Sequence, residues 1–270
     1  MTATPRRIPL LAAVLGLLLA GALGACGSGG DEASGASGAS SAEPQRVVVS
    51  AAASLKRALT SYGERFEGGD VRLSFAGSDE LAAQIRQGIK PDVFAAANTK
   101  LPDQLFAEGL VERPVRFATN ELVLAVPAGS DAVRSLDDLT ADEVTIATGA
   151  DGAPVGEYTR TVLDRLPPDR SAAILANVRS KEPDVGGIVG KLTQNAVDAG
   201  FVYRSDVEGT GGKLEAIELP EELKPAVAYG VALVKGAPNP SGGKAFVDGL
   251  LDGAGAQALR DSGFGPPGGG

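Results

Sequence analysis

Four short stretches place small residues at the start of an apolar run with helical spacing: Ala51–Leu55, Phe75–Asp79, Gly152–Gly156 and Pro183–Gly187. Backbone N–H groups at a helix start lack an intrahelical partner and sit at the positive end of the helix dipole. Small side chains leave those donors accessible, so each stretch suits an anion. Ser54 and Ser78 add hydroxyls to two of the four. Residue type alone leaves a plainer reading open. Ser54 and Ser78 suit N-caps, and Pro154 suits a first helical turn. Val155 and Val185 suit a core, as does Tyr203 with its hydroxyl bonded. Asp79 and Glu80 favour the dipole without any ligand.

Other chemistries have few means here. The 270 residues include no histidine, which removes the commonest general base and the commonest transition-metal ligand. The single cysteine, Cys26, allows no internal disulfide and no thiolate metal site. Ser54 is followed by Leu55, Lys56 and Arg57, so the Ser-x-x-Lys spacing fails and a serine-type hydrolase is a distant alternative. The formal charge is −9, or −11 without Arg6 and Arg7 (23 basic against 34 acidic residues). Nucleic acid wants a basic face, so it is not an expected partner. A small site of neutral donors still accepts an anion.

The elements that hold these stretches follow from patterning. Apolar, β-branched runs predict strands at 46–50, 71–76, 92–97, 121–127, 144–148, 177–180, 199–203 and 226–234. Residues such as Leu55, Ala58, Leu59 and Tyr62, then Leu81, Ala82, Ile85 and Ile89, share helix faces between them. Repeated strand–helix alternation predicts parallel sheet covered by helices on both faces. Two strands, near 121–126 and 227–234, are longer than the rest and are expected to pair as crossovers between two α/β lobes. The first lobe would hold residues 46–125 plus 229–264, and the second 126–228. Two of the four anion seats then fall in each.

Before residue 46 the chain reads as an address rather than a fold. Arg6 and Arg7 precede an apolar run from Ile8 to Leu23, the layout of a signal peptide. Leu23–Cys26 resembles a bacterial lipobox. Residues 1–25 are therefore expected to be removed, with Cys26 carrying a lipid. Residues 26–45, rich in Gly, Ala and Ser, read as a flexible tether, and 265–270 as a frayed tail. The expected location is extracytoplasmic, on the outer face of the cell membrane and held there by the lipid alone.

The stretch Val47–Leu55 closely resembles the opening strand of the periplasmic molybdate-binding proteins, solute-binding partners of ABC transporters. Leu73–Ile85, Pro91–Ala97, Asn120–Pro127, Pro154–Tyr158, Pro183–Val185, Ala199–Asp206, Tyr229–Val234 and Ser262–Phe264 resemble the same family in the same order. The resemblance implies a two-lobed periplasmic-binding-protein fold of type II character, each lobe a mixed sheet flanked by helices. It implies oxyanion ligation by Ser54, Ser78, Val155, Val185 and Tyr203: hydroxyls from Ser54, Ser78 and Tyr203, backbone N–H groups from Ser54, Ser78, Val155 and Val185. Asn98 and Val155 depart from the family, which often has Asp and Ala there. The implied ligand is molybdate or tungstate, with the metal arriving inside the oxyanion and no direct protein–metal ligand, cofactor or catalysis. Both are proton-free dianions, which a site made only of donors suits. Sulfate or phosphate is the alternative. Hinge closure, delivery to an ABC permease and a monomeric carrier complete the expectation.

Overall fold

The computed structural model describes residues 46–268. The expected leader, the tether, Cys26 and the last two residues of the tail lie outside the described residues. The strands are β1 (Val47–Ala52), β2 (Val71–Ala76), β3 (Val93–Ala96), β4 (Val115–Asn120), β5 (Leu122–Pro127), β6 (Ile146–Gly149), β7 (Val178–Glu182), β8 (Ala199–Tyr203), β9 (Leu214–Ile217) and β10 (Val227–Leu233). They form two five-stranded sheets, ordered β2-β1-β3-β10-β4 and β7-β6-β8-β5-β9.

The two sheets follow one plan. In the first, β1 pairs in parallel with β2 and β3, while β10 runs antiparallel to β3 and β4. In the second, β6 pairs in parallel with β7 and β8, while β5 runs antiparallel to β8 and β9. Each sheet is therefore mixed, with helices between its parallel strands, and the molecule has two lobes. The long strands β5 and β10 do not pair with each other as expected. Each finds antiparallel partners in its own sheet, so the crossovers are the junctions beside them. The chain leaves the first sheet between Asn120 and Leu122, ahead of the expected boundary after 125, and returns between Ile217 and Val227. Gly265 also exchanges both backbone hydrogen bonds with Thr119, so the expected tail is pinned at its start.

One apolar cluster runs through both lobes. It joins Val47, Val49, Leu55 and Leu59 under the first sheet to Leu122, Leu124, Ile146, Phe201 and Ile188 in the second. A smaller cluster on the other face of the first sheet joins Leu81, Ile85, Phe94, Leu101 and Leu105. Glu121, between the sheets, is held by Arg204 at 2.7 Å and Lys224 at 2.5 Å. Burial works against its charge, but these hydrogen bonds outweigh it and hold its carboxyl below the usual range. Among the described residues, no helix is long and apolar enough to cross a membrane.

Candidate oxyanion site

The carboxyl ends of β1, β2, β6, β7 and β8 converge on one cleft between the lobes, where open α/β sheets hold their ligands. Ser54, Ser78, Val155, Val185 and Tyr203 all line it. The first two come from one lobe and the other three from its counterpart. The cleft holds about 240 Å³ of empty space including its mouth, and Ala52, Ala53, Ala76, Gly77, Ala97 and Ala153 form much of its wall. Small residues keep backbone donors uncovered there.

Two of the seats are built differently from a plain capped helix. Ser54 lies inside a single 3-10 turn, Ala53–Leu55, and its hydroxyl caps nothing. Its Oγ is 3.0 Å from the Tyr229 hydroxyl of β10. Ser78 is the first residue of the helix Ser78–Arg86, whose N-cap is Gly77. The Ser78 Oγ accepts a hydrogen bond from Ala97 N–H at 3.0 Å, which leaves its own proton free to donate. Capping therefore does not consume either hydroxyl.

Val155 sits in the first turn of the helix Pro154–Leu163, behind the expected Pro154. Its side chain does not have to fill the cleft. A Cβ on Gly149 would lie 2.6 Å from Val155 Cγ1, so the valine packs over the bare end of β6. Gly156 is fixed by the same close approach, because a Cβ there would lie 2.3 Å from Ala150 O. Val185 opens the helix Val185–Thr193, where the Asp184 side chain accepts from Gly187 N at 3.2 Å. That bond takes one donor of the first turn and leaves the N–H groups of Val185 and Gly186 without a helical partner.

Tyr203 closes β8, in register with Leu122 of β5. It is 1% exposed, and its hydroxyl has no hydrogen-bond partner. Desolvation by burial raises its pKa well above the ordinary value, so it remains a donor. A buried, unpaired hydroxyl costs about 1–3 kcal/mol unless something accepts its proton. Its ring packs edge-on to Tyr158 and Tyr229, with centroids 6.3 and 5.8 Å away.

The lobes touch across the cleft. A Cβ on Gly77 would lie 2.7 Å from Pro183 O of the other lobe. Near the same rim Lys100 reaches Glu157 at 2.5 Å. Donors from both sides thus face one small space. Among the described residues, no cluster of three His, Cys, Asp or Glu could hold a metal ion.

A family model of bacterial extracellular solute-binding proteins matches residues 47–265. The chain belongs to that family. Molybdate-binding protein ModA of Mycobacterium tuberculosis is 35% identical to this solute-binding protein over 227 residues, covering 82% of this chain and 85% of the relative. Molybdate-binding protein ModA of Escherichia coli is 28% identical over 235 residues, covering 83% and 90%. The periplasmic molybdate-binding protein of Azotobacter vinelandii shares the fold, with a TM-score of 0.72 at 20% identity, over 81% of this chain and 98% of that one. These relatives are solute-binding proteins and not enzymes.

Within this solute-binding protein, all five sequence-predicted ligand positions meet in one cleft. Sequence reasoning missed two supporting groups. One is Tyr229, whose signal was a lone tyrosine inside the apolar run Ala226–Val234. The other is the Ala97 N–H, a backbone group with no residue-type signal at all.

Proposed function

We propose that this chain is a lipid-anchored extracytoplasmic carrier that closes its lobes on one molybdate or tungstate dianion and passes it to an ABC permease. The observation that carries the reading is Tyr203: a buried hydroxyl with no protein partner, lining the cleft that Ser54 and Ser78 line from the opposite lobe. A tetrahedral dianion accepts from all three hydroxyls and from the N–H groups of Ser54, Ser78, Val155 and Val185. Hydrogen bonds to a charged acceptor contribute roughly 1.5–3 kcal/mol each. Several of them, less the costs of desolvation and closure, give about −8 to −12 kcal/mol, or micromolar to nanomolar affinity. Neither lobe alone supplies the set, so ligand binding favours the closed form.

The lobes that move are the two sheets with their helices, hinged at the crossovers beside Glu121 and before Val227. Residues 1–25 act as the signal peptide and 26–45 as the tether from Cys26. The carrier works as a monomer. Calorimetry of the leaderless protein with molybdate, tungstate, sulfate and phosphate tests the ligand. Tight binding of the first two and weak binding of the others is expected. Preference for sulfate or phosphate overturns the molybdate reading, and no binding of any of the four overturns the oxyanion reading. Cys26→Ala should release the protein from the membrane, and retention in that variant would remove the anchor from the proposal.

A further inference from the structure

The two connections between the lobes differ in length. The first is the single residue Glu121, because Asn120 pairs with Val227 in one sheet and Leu122 with Tyr203 in the other. The second runs from the end of β9 at Ile217 to the start of β10 at Val227, so nine residues, 218–226, lie between. Left loose, a connection of that length would let one lobe swing and twist as well as close. Most of it is fastened to the second lobe. Leu219 and Leu223 are buried in the main core cluster, and Leu223 lines one hollow with Leu136 and Leu166 of that lobe. Arg165, just past the helix Pro154–Leu163, donates from Nη1 to the carbonyl oxygens of Glu222 at 3.3 Å and Lys224 at 2.9 Å. The Lys224 ammonium reaches Glu121 at 2.5 Å, Glu221 at 3.2 Å and Glu218 at 3.6 Å. Arg204, which follows β8, pairs with Glu121 at 2.7 Å and also with Glu218. Its backbone N–H donates to the Glu121 carbonyl at 2.9 Å, so both connections are held from the same side.

Only Pro225 and Ala226 remain between the fastened stretch and β10. Proline fixes its own φ near about −65° and holds the residue before it extended. Lys224 accordingly has φ −62° and ψ 122°. We propose that Glu121, Arg204, Glu218 and Lys224, together with Arg165, form a splint: they fasten residues 218–224 to the second lobe and cut a nine-residue connection to a two-residue pivot opposite Glu121. A pivot that short confines the lobes to closing on the cleft. The inference rests on the reading above of two lobes closing on an oxyanion, and it names the residues that limit how much freedom closure removes. The pairs are partly exposed, from 24% at Lys224 to 53% at Glu218. Each alone therefore adds little to the stability of the fold. Their effect falls on the connection, whose freedom the unliganded protein would otherwise keep.

Arg165→Met and Lys224→Met each remove fastenings, and neither residue lines the cleft. Wild type, both single variants and the double variant are compared by molybdate calorimetry, by small-angle scattering with and without molybdate, and by amide exchange over 218–226, with a thermal melt of each. A ligand gripped from both sides fixes the lobes, so a looser pivot loses more freedom on binding. One backbone residue freed in the unliganded state weakens Kd by about five- to thirtyfold. The double variant should show that loss, a larger unliganded radius of gyration and a wild-type radius when bound. The Leu223 and Lys224 amides, which donate to Pro220 and Glu221 carbonyls, should exchange faster without ligand. Glu218→Gln serves if either variant does not fold. Wild-type affinity in the double variant overturns the splint, whatever the exchange rates. A weaker affinity with wild-type exchange overturns it too, because the loss then arises elsewhere. A wild type that binds no molybdate sinks the molybdate reading, while exchange and unliganded scattering still decide the splint: wild-type values of both in the double variant overturn it.

Discussion

Gly77→Ala isolates closure from folding. Gly77 is the N-cap of the helix Ser78–Arg86, with φ −59° and ψ 136°, a conformation that alanine adopts without strain. Within its own lobe the added methyl meets only Asp79 Oδ1, at 2.9 Å, the end of a side chain that can turn away. Across the cleft it meets Pro183 O at 2.7 Å, and that atom is backbone. An ordinary contact begins at 3.4 Å, so the lobes must stand off by about 0.7 Å at this point. A hydrogen bond of ordinary length, stretched by that much, passes about 3.5 Å and is lost. Bonds near the contact, from Ser78 on one side and Val185 on the other, are the ones exposed to it. Losing one or two charge-assisted bonds costs about 2–4 kcal/mol, or roughly 30- to 1,000-fold in Kd.

The assay pairs calorimetry with a melt of the unliganded protein. Molybdate affinity should fall by that factor while the unliganded Tm stays the same or rises slightly, since Gly→Ala at a compatible position stabilises by about 0.4–1 kcal/mol. Small-angle scattering should show less compaction on adding molybdate than wild type shows. Wild-type affinity in Gly77→Ala would refute the reasoning, because it would mean that the lobes need not approach this closely to hold the ligand.

Three other outcomes follow from the same geometry. Tyr203→Phe should weaken molybdate by about 10- to 150-fold, one charge-assisted bond, with an unliganded Tm no lower than wild type because a buried unpaired hydroxyl is removed; calorimetry and a melt check both. Asp206 is raised from 3.8 to about 7, first by burial and also by Asp184, against the Tyr203 N–H and the charge of Arg57. The folded chain therefore holds this proton longer than the unfolded chain, so stability falls as pH rises between about 4 and 7, by up to about 4 kcal/mol. Part of Asp206 reaches the surface, which trims that figure, and Asp206→Asn should flatten the Tm difference between pH 5 and pH 8. Lys100→Ala breaks the rim ion pair with Glu157, whose side chains are 57% and 36% exposed. Such pairs are worth about 0–1 kcal/mol, so affinity should change less than about fivefold; a larger loss would move the closing force from the donors to this pair.

The parts of this fold that were legible in the sequence are those where burial repeats. β1, β3, β5 and β10 are buried on both faces and read as unbroken apolar runs. The missed strands, β4 and β9, are both sheet edges. β4 has two exposed residues at its start and partial exposure at its end, and β9 is four residues long, so neither carries a run or a clean alternation. The pairing of the long strands was misread for a related reason: length marks a strand as central but does not name its partners. Four of the five candidate ligand positions also carry a local pattern, a helix start after a strand. Tyr203 came from the family resemblance alone, since a tyrosine ending an apolar strand looks the same whether or not its hydroxyl has a partner. Only the three-dimensional packing leaves that hydroxyl alone.

On the oxyanion reading, net charge is a poor guide to ligand charge. A chain of −9 has no evident reason to attract a dianion. Yet charges more than about 10 Å away are largely screened at ordinary ionic strength, and no Lys or Arg is among the residues that line the cleft. The Arg57 guanidinium, one residue beyond the turn Ala53–Leu55 and Lys56, donates to the carbonyl oxygens of Ser262 at 2.8 Å and Ser205 at 3.4 Å. Beside Asp184, whose carboxylate accepts from Gly187 N–H, the cleft carries neutral dipoles whose direction is fixed by groups that cannot reverse: Ala97 N–H behind Ser78, and the first-turn N–H groups of two helices. Fixed dipoles of one sense cost no reorganisation when the ligand arrives, and they offer nothing to a proton on it. A cationic site would bind any anion of matching size. Donors of one sense add a test that a cation does not make, because they repel a proton that the anion still carries.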